Sequence, residues 1–174
     1  SNIQKGERRT MRNVILSAGL CVGLLASGAL AESALKTKHL SIGLKDGAIV
    51  SLKATASGRD YLAAGQPAPL LQVRVAGALH APDGMDWDAK TEQMTLRFSK
   101  AGVEVVVATK AKPTHVTLTV LSVTPKEKVE LIVWGPYPTT INRTIGEMVG
   151  VVRDQTFGIG IQVLNPKTMG GYPT

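Results

Sequence analysis

A chain of 174 residues with 44% hydrophobic content suits one globular domain. Its net charge of +7 is scattered, with no basic run interleaved with aromatics, which argues against a nucleic-acid binder. A single cysteine excludes a disulfide-dense scaffold, and an aromatic content of 4% is meagre for an autonomous sugar-binding module.

Residues 1–10 fit no part of a targeting signal and read as a leader scar or a start placed too early, with Met11 as the true start. From there the chain has the three parts of a secretory signal: basic Met11-Arg12-Asn13, the apolar block Val14 to Leu30, and the small-x-small end Ala29-Leu30-Ala31. Residues 11–31 are therefore expected to form a helical signal peptide, cut after Ala31, with a mature domain over 32–174. An uncleaved anchor is the competing reading. The block is shorter than the roughly 20 residues that span a bilayer, and Gly19, Gly23 and Gly28 break it. A lipoprotein cut before Cys21 would need a small residue where Leu20 stands. The expected location is periplasmic or extracellular in a bacterium, with no membrane association after cleavage. Cys21 leaves with the leader, and so do Lys5, Arg8, Arg9, Arg12 and Glu7. What remains has 16 basic and 12 acidic residues, a modest excess that keeps a domain soluble.

The mature part reads as short strands between turn signals. Leu40, Ile42 and Leu44 alternate with polar or small residues; Asp46-Gly47 follows; then Ala48, Val50, Leu52 and Ala54 alternate. Two such runs joined by Asp-Gly predict a hairpin, because glycine accepts the positive φ of a type I′ turn. Residues 55–60 form a polar turn. Leu71, Val73 and Val75 mark the next strand, and Ala76-Gly77 turns the chain into a short one near Leu79. Pro82-Asp83-Gly84 predicts a loop. Met94, Leu96 and Phe98 alternate, Lys100-Ala101-Gly102 turns, and Val103, Val105 and Val107 answer. Thr114 to Val123 is a longer strand whose apolar phase slips at Leu121 and Val123; a bulge would restore register, or both faces are covered. Val129 to Trp134 is apolar on both faces and is expected to be central. Glu147 to Arg153 and Thr156 to Leu164 form a last hairpin around Asp154-Gln155. There Phe157, Ile159, Ile161 and Val163 share one face, while Gly158 and Gly160 leave room for a close neighbour on the other. After Ala31 no stretch of ten residues keeps a helical period. Nine or ten short strands predict an all-β, antiparallel β-sandwich.

The run Lys45-Asp-Gly-Ala-Ile-Val-Ser-Leu-Lys53, followed by Ser57-Gly-Arg-Asp-Tyr-Leu62, resembles the opening of galactose-mutarotase-like β-sandwich domains. Such domains begin many secreted bacterial glycoside hydrolases. Val133-Trp-Gly-Pro-Tyr-Pro138, with Gly146 to Asp154 and Ile159 to Gln162, is similar to the middle of these N-terminal domains, where the strand carrying Trp-Gly-Pro leads to a loop facing the next domain. The resemblance covers most of residues 39–173. It implies a supersandwich, incomplete here, in a carbohydrate-associated protein whose catalytic domain would follow. Residues 170–174 (GGYPT) read as a loop and not as a finished domain end.

Mutarotases proper use two histidines and a carboxylate to move a proton at the sugar ring. His39, His80 and His115 stand in no fixed relation to a carboxylate and no mutarotase motif surrounds them. Glycoside hydrolysis needs two carboxylates across the scissile bond. The best pair, Glu147 and Asp154, would sit at opposite ends of one strand, roughly 20 Å apart at ~3.3 Å per residue. Asp83, Asp86 and Asp88 form the one acidic cluster, but they lack a full calcium-loop motif, and a solvated turn is the default. The expectation is therefore no catalytic residues, no metal and no cofactor in this chain. For sugar contact or a domain interface the candidates are Trp134, Tyr137, Arg153 and Trp87, because rings offer a flat face to a pyranose while polar groups read its hydroxyls. Against that, large aromatics more often pack in a core.

These readings combine into a non-catalytic N-terminal module of an exported glycoside-hydrolase-like protein, partnered by carbohydrate or by an adjacent catalytic domain. A free-standing carbohydrate-binding protein is the alternative, and a sugar epimerase a third.

Overall fold

The computed structural model describes residues 33–146 and 150–169. The expected signal peptide and leader, Cys21, Glu147 and the 170–174 segment lie outside the described residues. Within them the chain is all-β and antiparallel, with no α-helix and one 3₁₀ turn at Lys126–Lys128.

The strands run β1 (Ser33–Lys36), β2 (Leu40–Lys45), β3 (Ala48–Ala54), β4 (Leu71–Val75), β5 (Ala78–His80), β6 (Gly84–Asp88), β7 (Gln93–Phe98), β8 (Val103–Ala111), β9 (Val116–Thr124), β10 (Leu131–Trp134), β11 (Thr144–Ile145), β12 (Gly150–Arg153) and β13 (Gly158–Ile161). They form four sheets, ordered β1-β2-β3, β10-β4-β5, β6-β7-β8-β9 and β11-β12-β13.

The predicted hairpin is β2–β3. Asp46 and Gly47 have φ of 51° and 80°, both positive as a type I′ turn requires. Ala76 and Gly77, at 49° and 78°, repeat the device between β4 and β5. Gly47 has a second reason to be glycine, because a Cβ there would stand 2.7 Å from Pro82.

Alternation becomes burial on β7 and β8. Met94, Leu96 and Phe98 face inward, as do Val103, Val105 and Val107. Leu71 and Val73 of β4 join them, with Leu44, Ile49 and Leu52 of β2 and β3, in one core drawn from three of the sheets. Burying a side chain of this size contributes about 1.5–3 kcal/mol, so this cluster dominates the fold.

The phase slip after Val120 is a bulge. Val107 pairs with Val120 and Val106 with Ser122, which leaves Leu121 as the extra residue, turned outward and 51% exposed. The β2–β3 hairpin corrects the expected alternation at Val50: expected on the apolar face with Leu52, it is 42% exposed while Ile49 is buried, because a bulge falls between the Gly43–Ser51 and Leu44–Ile49 pairs. In each case two consecutive apolar residues cannot both face inward on a period of two. The bulge expels one and restores the alternation.

Four features differ from expectation. Ser33–Lys36 and Thr144–Ile145 are strands too short to announce themselves. Gly84–Asp88 is a strand where a loop was expected: Met85 and Trp87 alternate with Asp86 and Asp88, and pairing with β7 overrides the poor strand propensity of aspartate. β10 is not central. Among the described residues it pairs only with β4, and Leu131 is exposed, while Ile132 and Trp134 lie against the core. The second arm of the last hairpin, Gly158–Ile161, is shorter than the expected Thr156–Leu164, and a turn over residues 154–157 separates the arms.

Candidate functional site

Trp134 ends β10 opposite Leu71, and both Trp134 and Tyr137 are half-buried against the main core. The chain between them is held by side chains from β4 and its lead-in. The Gln72 amide donates to Gly135 O at 2.9 Å. The Tyr137 hydroxyl donates to Leu70 O at 2.5 Å, and Gly135 N reaches the same carbonyl at 3.4 Å. Gly135 has φ 83°, so the Trp-Gly-Pro-Tyr run needs glycine there. Burial pushes the Tyr137 phenol well above its ordinary value, so it remains a hydrogen-bond donor at any physiological pH. Sequence reasoning named the two aromatics. It missed Gln72, whose alternation in β4 marked it only as a polar position.

The other two candidates lie on other sheets. Trp87 is on β6, half-buried against the main core across from Met94. Arg153 is exposed at the end of β12, paired with Gly158. The four candidates are thus distributed over three sheets, with Trp134 and Tyr137 alone sharing one short segment.

A second aromatic group was not foreseen as a unit. Tyr61, 2% exposed, anchors a small core with Ala54 and Ile141. The Phe157 ring stacks on it with centroids 4.7 Å apart and planes inclined by 15°. The Arg59 guanidinium carbon lies 4.8 Å from the centroid of the same ring. The Ser57–Leu62 turn builds this arrangement. Gly58 (φ 68°) lets the chain reverse, with Ala54 N bonded to Arg59 O. Asp60 Oδ1 then accepts from Leu52 N at 2.9 Å and Leu62 N at 3.0 Å, which fixes Tyr61 between them. The only signal in the sequence was the motif itself.

The carboxylates are engaged one at a time. Asp83 accepts from the Ser99 amide and hydroxyl, Asp88 from Lys90 N and the Thr91 hydroxyl, and Asp154 from Thr156 N, the Thr156 hydroxyl and Phe157 N. These hydrogen bonds to the charged form hold all three below the usual carboxylate range, and Arg59 adds to the effect on Asp154. Asp86 pairs instead with Arg97, whose guanidinium packs over Gly84. The neighbouring aspartates therefore point to separate partners, and among the described residues no group of three acidic, histidine or cysteine side chains is arranged to hold a metal ion. His39 lies in the β1–β2 turn, His80 on β5, and His115 in the β8–β9 turn beside the Thr114 hydroxyl at 3.1 Å.

A surface depression of about 380 Å³, open to solvent, is lined by Val151, Gly160, Ile161 and Gln162. The expected backbone or ring packed over Gly158 and Gly160 is not there among the described residues, since both are exposed; a Cβ at Gly160 would instead meet Cγ2 of its paired residue Val151 at 2.6 Å. No described helix is long and apolar enough to cross a membrane. Comparison with protein-family models, curated proteins and solved structures finds no match.

Proposed function

We propose that this chain is the non-catalytic β-sandwich module, of galactose-mutarotase-like type, of an exported glycoside-hydrolase-like protein. Its role is to pack against a catalytic neighbour or a glycan. Export follows from the signal peptide read at residues 11–31. The observation that carries the non-catalytic part is the dispersal of the described aspartates: Asp88 and Asp154 each cap their own turn, and Asp83 is bound to Ser99 across the β6–β7 pair. A glycosidase instead sets two carboxylates across one bond. The family reading rests on the sequence resemblance of Lys45–Lys53 and Ser57–Leu62, which fold as two tight turns.

The adhesive surface in this reading has two parts. One is the Trp134–Tyr137 segment, whose rings are partly buried against the main core. The other is the C-terminal region, where Ile145, Ile161, Leu164 and Met169 are exposed. Exposed apolar surface is a recurrent feature of interaction sites. The test is a pair of assays on the purified protein. Aryl-glycosides should not be turned over. Turnover abolished by Asp154→Asn would overturn the proposal. On a glycan array, binding reduced by Trp134→Ala with an unchanged circular dichroism spectrum would favour the free-standing carbohydrate-binding alternative.

A further inference from the structure

The β12–β13 hairpin belongs to the three-stranded sheet β11-β12-β13, whose strands pair only with one another among the described residues. Its outward residues Val151, Arg153, Gly158 and Gly160 are exposed. What holds it is its inner face: Val152, Phe157 and Ile159 rest on the small core of Ala54, Tyr61 and Ile141, and Ile159 alone of the three also touches the main core. That core has three buried residues, against fourteen in the main one.

The attachment is concentrated further. Phe157 stacks on Tyr61, and the Thr156 hydroxyl stands 3.5 Å from the Tyr61 hydroxyl. Asp154 shapes the turn that presents both, since its Oδ1 accepts from Thr156 N at 2.7 Å and Phe157 N at 2.8 Å. The arm is thus internally regular, with four paired positions between its strands and a closed turn, and among the described residues it meets the body through these few inner side chains. Regions with few buried apolar contacts and exposed backbone hydrogen bonds open as units at a lower free energy than the global one.

We propose that the β12–β13 hairpin opens and closes as one unit on the body, with the Tyr61–Phe157 stack as its latch. Opening exposes Val152, Phe157 and Ile159 together and uncovers Tyr61. The inference is independent of what the module binds.

Hydrogen exchange of the full chain, read by mass spectrometry at neutral pH, tests it. Amides of residues 150–161 that are protected should exchange at one common rate, at least tenfold faster than those of β7 and β8. Phe157→Ala should accelerate the hairpin about tenfold more, including β12 amides that Phe157 does not touch, and leave β7 and β8 unchanged. Phe157→Leu, which keeps apolar bulk but not the ring stack, should fall between the two. Three results would overturn the proposal: hairpin and core exchanging at the same rate, Phe157→Leu accelerating every strand alike, or amides fraying individually without response to residue 157.

Discussion

Gly47 and Gly77 offer a controlled comparison between backbone strain and lack of space. Both occupy the second position of a two-residue hairpin turn, at φ 80° and 78°. An added Cβ at Gly77 meets nothing within 4 Å, whereas at Gly47 it stands 2.7 Å from Pro82 Cβ and Cγ and 3.2 Å from Leu96 Cδ2. Gly77→Ala should therefore cost only the left-handed penalty, about 1–2 kcal/mol. Gly47→Ala should add an overpacking cost of about 1–3 kcal/mol, for a total of roughly 2–5 kcal/mol. In urea melts followed by tryptophan fluorescence, both variants should lower the midpoint with an unchanged slope, Gly47→Ala by more. Pro82→Gly, which removes both the Cβ and the Cγ, combined with Gly47→Ala should recover most of the difference, an interaction energy visible in a double-mutant cycle. Equal losses for the two glycine variants, or an additive cycle, would refute the packing argument at Pro82.

Tyr137→Phe removes the donor to Leu70 O but leaves Gly135 N on the same carbonyl, so a loss of about 1 kcal/mol is expected, seen as a midpoint shift in the same melts. An unchanged midpoint would mean that the hydroxyl contributes nothing to holding the loop. The acid limb of stability should carry the signature of Asp83, Asp88 and Asp154. Their folded pKa values are depressed below 3.8, so the stability they contribute is complete above the unfolded value, near pH 4–5, and is lost as pH falls through 3.8 and below. Asp154→Asn should flatten that limb, measured as urea midpoints between pH 2.5 and 6. Leu96→Ala, at the fully buried centre of β7, should cost about 2–5 kcal/mol, read by thermal denaturation.

Local rules carried the β2–β3 and β7–β8 hairpins. Met94, Leu96 and Phe98 declare their face by alternation, and Asp46-Gly47 declares its turn by conformational preference, neither of which depends on distant chain. The bulge at Leu121 was legible for the same reason, since consecutive apolar residues in a half-buried strand conflict with a period of two. Sheet membership was not legible. The all-apolar run at Leu131–Trp134 could sit in a sheet centre or, as it does, along an edge with Leu131 in solvent, and only long-range pairing with β4 decides this. The Asp-rich β6 was masked by its composition and recovered by its partner strand. At the candidate site, Trp134 and Tyr137 stood out because aromatics are rare in this chain. The Arg59–Tyr61–Phe157 assembly joins residues about a hundred positions apart, and no local pattern encodes that meeting.

β9 lines one margin of its four-stranded sheet, and its nine residues, VTLTVLSVT, carry no charge. A straight margin of that composition is a template onto which a foreign chain can add hydrogen bonds, the first step toward fibrils. The kink at Leu121 interrupts that ladder partway along. Excising this single leucine would leave an uninterrupted uncharged rim, and the protein's resistance to aggregation would fall even if its folded stability rose.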